Sequence, residues 1–251
     1  MEHHEQSHTP AASQVQPAAL SVPIAIVVAG ALIAGAIFFG MRGTGNSVAA
    51  NPQMQGGQPA AAQTADITKV KTAGEPFIGN ANAPVTIAYW YDYQCPFCQR
   101  NEEQTMPQII KDYVDTGKAK IVFKDFEFLG PDSQTLGQYS RAVWETAPTK
   151  FYAWHKAVYD NQGTENTGWA TQDKILSITK SVLSADETNK VVALVKSNGA
   201  EYQKEMDADK AEGSAMGISG TPAAIIGKQL ISGAQPYAAF KQVIDLALQG
   251  K

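Results

Sequence analysis

Hydrophobic positions along this chain fall into distinct textures. Residues Val22–Phe39 (VPIAIVVAGALIAGAIFF) run for eighteen positions without a charged or strongly polar side chain. At about 1.5 Å rise per residue, such a helix approaches the roughly 30 Å of a bilayer's hydrocarbon core. The run predicts a transmembrane helix over 22–40, with Pro23 tolerated in its first turn. Gly30 with Ala34, and Ala31 with Gly35, are small residues at a spacing that lets two such helices approach. A cleaved signal peptide ending at Val48-Ala49-Ala50 is the alternative. The run is long for one, no Lys or Arg precedes it, and the alanine pair lies well beyond it, so a retained anchor is expected. Ahead of it, residues 1–21 form a polar tail with His3, His4 and His8, either a solvated terminus or a metal-binding one. Behind it, residues 43–65 are rich in Gly, Ala, Gln, Asn and Pro and carry no charge. Such a composition builds no core, and a flexible linker is expected over 41–72.

Periodic sequence begins near Asp66, and a single domain is expected over 73–251. Val85–Tyr91 (VTIAYWY) is a β-branched and aromatic run, hence a buried strand. Pro96–Asp115 has helical spacing, with Pro107 as a kink and Gly117 as a stop. Lys118–Phe126 alternates again and predicts a second strand. Strand, helix and strand in this order predict a βαβ unit with parallel strands. A helical stretch over about 131–216 follows, with Asp132 as the cap of a helix through Thr146. Further helices are expected at Lys150–Asn161, Gln172–Leu183, Asp186–Ser197 and Ala200–Met216. Ala223–Ile226 and Gln229–Ser232, around Gly227-Lys228, read as a hairpin, and Pro236–Leu248 as a closing amphipathic helix. The expected fold is α/β: a mixed sheet with helices on its faces and a helical insertion.

Composition adds little beyond exclusions. With 44% hydrophobic and 18% charged residues the chain is an ordinary folded one, and a net charge of −4 gives no face for nucleic acid. The chain has only two cysteines, Cys95 and Cys98, too few for a stapled scaffold or a structural zinc site. His155, the one histidine beyond the tail, adds no cluster of ligands, and no metal is expected. The pair falls where the first strand gives way to the first helix. A helix N-terminus presents unpaired N–H groups and a positive dipole end, which favour a thiolate. Cys95 at the cap position is therefore the candidate nucleophile, and Cys98, one turn on, the resolving thiol. Inert buried cysteines are the alternative. Far along the chain, Gly220-Thr221-Pro222 precedes the late strand, and an X–Pro bond is where a cis peptide occurs.

Cys95-Pro96-Phe97-Cys98 after an aromatic strand, a helical insertion, then Gly-Thr-Pro before a hairpin and a last helix, resembles the DsbA-like thioredoxin-fold family. Gly79-Asn80-Ala81-Asn82-Ala83-Pro84-Val85-Thr86-Ile87 and Asp92-Tyr93-Gln94 are similar to the domain start of its membrane-anchored, BdbD-like branch. The resemblance covers roughly residues 73–250. It implies that Cys95 and Cys98 form a redox-active disulfide with no other cofactor, and that Pro222 is a cis-proline facing it. It also implies that Thr221, Pro96 and Phe97 meet the substrate. Two positions depart from the family pattern: Phe97 stands where the strongly oxidising type has His, and Tyr89 where relatives carry a buried acid. Tyr89 and Glu102 are candidate proton-relay residues, Glu102 being equally readable as a solvated helix residue. The implied protein is an extracytoplasmic, single-pass membrane thiol–disulfide oxidoreductase. It would oxidise exported proteins and be reoxidised by a DsbB- or VKOR-like membrane partner. Arg42, on the domain side of the apolar run, does not set this orientation, and long domains translocate largely regardless of charge. A reductase or isomerase of the same fold, and a non-catalytic tethered binding or chaperone module, stay open as alternatives.

Overall fold

The computed structural model describes residues 63–250, so the tail, the apolar run 22–39 and most of the expected linker lie outside the described residues. Among the described residues no helix is long and apolar enough to cross a membrane. The chain enters as β1 (Gln63–Thr64) and a 3-10 turn (Ile67–Lys69) capped by the Asp66 carboxylate. The end of the expected linker is thus folded onto the domain: Val70 is buried, and the Lys71 amide donates to Glu212 Oε1 at 2.7 Å. The short strand β2 (Phe77–Gly79) follows, then β3 (Val85–Tyr91). Neither β1 nor β2 is long enough to leave an alternating pattern in the sequence.

The helix expected over 96–115 is broken into three parts. α1 (Pro96–Gln104) stops at Thr105, α2 (Met106–Ile109) restarts with Pro107 in its first turn, and a π-helical turn (Ile110–Val114) closes it. Pro107 has no N–H to continue the ladder, so the break falls just before it. β4 (Ala119–Asp125) then pairs parallel to β3, Ile87 opposite Ile121 and Tyr91 opposite Asp125.

α3 (Pro131–Thr146), α4 (Phe151–Asp160), α5 (Gln172–Val182) and α6 (Ala185–Ala215) form the insertion. Two expectations change here. Asp132 is not the cap of α3: Gly130 takes that place with φ 98, Pro131 opens the helix, and the Asp132 carboxylate accepts from the Ala170 amide at 3.3 Å. The two helices expected over 186–197 and 200–216 are one helix of 31 residues. It starts at a capping box, Ser184 with Glu187, and runs through Asn198-Gly199 without a break. A mid-helix glycine costs about 1 kcal/mol, which burial of Val191, Tyr202 and Met206 on the same helix outweighs. Two other glycines allow close approach: a Cβ on Gly213 would lie 2.7 Å from Trp90 Nε1, and one on Gly137 would meet the Met206 side chain. The hairpin β5 (Ala223–Ile226) and β6 (Gln229–Ser232) and the helix α7 (Tyr237–Leu248) complete the fold.

The six strands lie in the order β1-β6-β5-β3-β4-β2, all neighbours antiparallel except β3 and β4. β3 is central and nearly wholly buried. One face packs Tyr89, Tyr91 and Phe123 against Phe151, Trp154 and Tyr159 of the insertion; the other packs Ala88 and Trp90 with Ile218, Ile225 and Leu230.

A buried ion cluster ties the insertion to the sheet. The Arg141 guanidinium reaches Asp125 at 2.7 Å, Glu75 at 2.8 Å and Asp209 at 2.5 Å. Lys124, on the β4 strand, has no exposed surface and pairs with Asp209 at 2.5 Å. Burial and the neighbouring carboxylates push Asp209 up to about 7, against the pull of Arg141.

Candidate active site

β3 delivers the chain to the candidate site, and a carboxylate fixes the turn that follows. Asp92 accepts from the Gln94 amide at 2.8 Å, Ser133 Oγ at 2.6 Å, and the Phe128 and Leu129 amides at 2.9 and 3.1 Å. The Cys95 amide donates to the Asp92 carbonyl at 3.1 Å, and Cys95 becomes the cap of α1 with Pro96 in its first turn. Insertion residues brace the same turn: Gln162 Nε2 donates to the Tyr93 and Cys95 carbonyls at 2.7 and 3.2 Å, and Tyr159 OH to the Asp92 carbonyl at 3.1 Å.

Both cysteines are free thiols, with Cys98 fully enclosed. Cys95 Sγ donates to the Thr221 carbonyl at 3.3 Å across 126 residues of chain. The Thr221–Pro222 peptide is cis. Four of the candidate residues, Cys95, Cys98, Thr221 and Pro222, thus come together at one end of the sheet. Phe97 stands 54% exposed on the rim, with the Arg100 guanidinium 5.0 Å above its ring. The ring is therefore exposed and not part of the core.

Tyr89 and Glu102 lie beneath the pair, both buried. Glu102 is therefore not the solvated residue that its place on α1 allows. Its carboxylate accepts from Tyr152 OH at 3.0 Å and meets His155 Nε2 at 3.3 Å, while His155 Nδ1 lies 3.0 Å from Tyr93 OH. Both ring nitrogens of His155 are thus engaged, one by Glu102 and the other by Tyr93. Tyr89 OH accepts from Asn101 Nδ2 at 3.2 Å. His155, Tyr152, Gln162 and Asn101 are the residues that the sequence reading did not assign to the site. His155, as the lone histidine of the domain, was the single one with a signal.

The two thiols are driven apart electrostatically. A hydrogen bond from the Cys98 thiol, aided by Thr221 and by the backbone N–H groups of Cys98 and Phe97, pulls Cys95 down to about 6 against its burial. Burial, then the hydrogen bond to Cys95, pushes Cys98 well above the ordinary thiol range. One sulfur is a ready nucleophile and leaving group, and the other is held protonated. Burial pushes the Tyr89 phenol far up as well, with the charge of a Cys98 thiolate adding to it. Tyr89 is thus no base at neutral pH and keeps its hydroxyl proton.

Thr221 Oγ1 is buried without a partner, leaving it free to donate to a Cys95 thiolate. Thr221→Val is expected to raise the midpoint of thiolate absorbance by up to about one pH unit, the worth of one hydrogen bond. An unchanged midpoint would leave stabilisation to Cys98 and the helix amides alone.

A family model described as thioredoxin matches residues 71–246. Disulfide bond formation protein D of Bacillus subtilis is 28% identical over 179 residues, 71% of this chain and 79% of that protein. The crystal structure of oxidised BdbD from Bacillus subtilis superposes with a TM-score of 0.65 at 25% identity, covering 77% of this chain and all of the other. The thiol–disulfide exchange protein alpha-DsbA2 from Wolbachia pipientis gives 0.61 at 24% identity, over 71% and 89% of the two chains, a likeness of fold.

Proposed function

Because the chain belongs to the thioredoxin family, we propose that its Cys95–Cys98 pair, once oxidised, is passed as a disulfide to exported proteins. The chain is a DsbA-like thiol–disulfide oxidoreductase, akin to the disulfide bond formation protein D of Bacillus subtilis. One observation carries the direction: Cys95 is held near 6 while Cys98 is pushed up. A fold that stabilises the thiolate of the reduced form makes its disulfide the stronger oxidant. In this reading Cys95 Sγ is the atom attacked and Cys98 the first leaving group. Pro222 and the Thr221 carbonyl border the sulfur, where an extended segment could pair by main-chain hydrogen bonds, largely indifferent to sequence. Pro96 and Phe97 complete the contact surface, Phe97 through its exposed ring.

Residues 22–40 are proposed as a retained anchor and 41–62 as the linker, with the domain, whose first strand is Gln63–Thr64, facing the extracytoplasmic side. There disulfides form and persist, and a DsbB- or VKOR-like membrane partner would reoxidise the pair. Glu102, held by Tyr152 and His155, is the proposed base of the relay, and Tyr89 its hydroxyl. The test is oxidative refolding of a reduced, denatured dithiol protein by the full chain in membrane vesicles. Wild type is expected to restore activity, and Cys95→Ser to lose all of it. Equal refolding by Cys95→Ser would mark a tethered chaperone whose cysteines do not turn over.

A further inference from the structure

A polar cleft of about 210 Å3 opens between α1 and the loop joining β6 to α7. A chain of contacts ties it to the redox pair. Cys95 Sγ meets the Thr221 carbonyl at 3.3 Å, the Gly233 amide donates to the Pro222 carbonyl at 2.8 Å, and Arg100 Nη2 donates to the Ala234 carbonyl at 3.3 Å. Arg100 also lies 5.0 Å over the exposed Phe97 ring, so it stands between the rim of the thiol site and the cleft. A guanidinium carries five N–H donors in a planar fork. Among the described residues this one spends a single hydrogen bond and forms no ion pair. Asn101, 1% exposed, closes the inner end of the cleft. Its Nδ2 donates to the Tyr89 hydroxyl, while Oδ1 has no protein partner. The cleft thus offers a cation with free donors at its mouth and a buried, unpaired acceptor within. Such an acceptor is costly to bury, and a ligand N–H in the cleft removes the cost.

We propose that this cleft binds an amino-acid carboxylate of the exchange partner: Arg100 takes the carboxylate, and Asn101 Oδ1 an N–H of the same residue. The proposal rests on the oxidoreductase reading and adds what the site selects. An anion without an N–H leaves Asn101 unpaired, and an apolar side chain satisfies neither group, so the two together favour this chemistry. Arg100 lies five residues beyond Cys95 on α1, about 7.5 Å along the helix axis. An extended chain covers about 3.3–3.6 Å per residue, which puts the carboxylate about two residues from the partner's reactive cysteine. An acidic residue in a polypeptide and the γ-glutamyl end of a glutathione-like thiol both meet that span. In exchange with a small disulfide, the Cys95 thiolate attacks one sulfur, a bond forms between them, and the other half leaves as a thiolate. Cys98 then loses its proton to solvent and attacks Cys95, and the second half leaves as a thiolate. The enzyme pair gives up two electrons and the small disulfide takes them. The cleft moves none of these groups; it holds the carboxylate while the sulfurs meet.

The test follows oxidation of the reduced full chain by rapid acid quench. Glutathione disulfide, which carries the carboxylate and the N–H, is set against 2-hydroxyethyl disulfide, which carries neither. Arg100→Gln is expected to lower the ratio of the two rate constants about tenfold, the worth of one hydrogen bond to a charged group, with no shift in the Cys95 thiolate midpoint. Arg100→Lys keeps the charge and loses the fork, so it is expected to recover only part of the ratio. Full recovery by lysine would reduce the effect to steering by charge and overturn a bound carboxylate. A second pair, mixed disulfides of one short peptide with Asp or Asn two residues from its cysteine, asks the same of a polypeptide. An Arg100-dependent preference for the Asp form assigns the cleft to acidic segments, and one seen with glutathione disulfide alone assigns it to small thiols. No Arg100-dependent preference in either pair overturns the proposal. A wild type that reacts with 2-hydroxyethyl disulfide no faster than free glutathione does would remove the oxidoreductase reading as well, and is read without any variant.

Discussion

Replacing Cys98 by alanine is expected to move the Cys95 thiolate midpoint from about 6 toward the ordinary thiol value of about 8.5, and to end disulfide donation altogether. The Cys98 thiol is the largest single influence that lowers Cys95, and a methyl group cannot donate a hydrogen bond. What survives is the first half of the chemistry. Cys95 can still join oxidised glutathione in a mixed disulfide, but no second thiol is present to resolve it, so the adduct accumulates. Thiolate absorbance against pH reads the first effect and intact mass the second. A midpoint still near 6 would mean that the helix amides and Thr221 carry the stabilisation without Cys98.

The same depression has a consequence for stability with a definite sign. Cys95 is lowered on folding, so its thiolate stabilises the reduced fold at pH values above the unfolded thiol's midpoint. That contribution is lost as pH falls through about 6. The reduced protein should therefore gain urea resistance relative to the oxidised one between pH 5 and pH 8, and Cys95→Ala, which forms no disulfide, should show no such gain when set against the same oxidised protein.

Arg141→Ala carries the other large effect, on the fold. Removing one partner of a buried ion cluster leaves the others desolvated and unpaired, typically at a cost of about 3–5 kcal/mol. Here Asp125, Glu75 and Asp209 would face one another with Lys124 as the one buried cation left. Against a domain stability of about 5–15 kcal/mol such a loss is severe. Arg141→Lys is expected to recover little, because an ammonium cannot fork among three carboxylates. Urea unfolding of the oxidised form measures the loss, and a fall below about 1 kcal/mol would show the cluster to be solvated in solution.

The reach of the sequence differs between these two places. Strand β3, its parallel partner β4, the hairpin and the closing helix were legible because a buried strand is a dense apolar run and a two-residue turn marks a hairpin. Cys95 and Cys98 were legible because two thiols at the mouth of a helix leave few readings. What the sequence hid was made by distant pairing. Gly199 reads as a helix break, but packing of its neighbours carries α6 straight through it. Glu102 has the spacing of an exposed helix residue until α4 brings Tyr152 and His155 against it. The Arg141 cluster draws on residues from 75 to 209, which share no local pattern.

Everything proposed about direction depends on how far the fold favours the Cys95 thiolate over the disulfide. The most direct measurement is the reduction potential of the Cys95–Cys98 pair in the full chain, by equilibration with glutathione at pH 7. With Cys95 near 6, the account predicts a potential less reducing than thioredoxin's reference value of about −270 mV and short of the roughly −120 mV of DsbA. A value at or below about −270 mV would contradict it and make the pair a reductant.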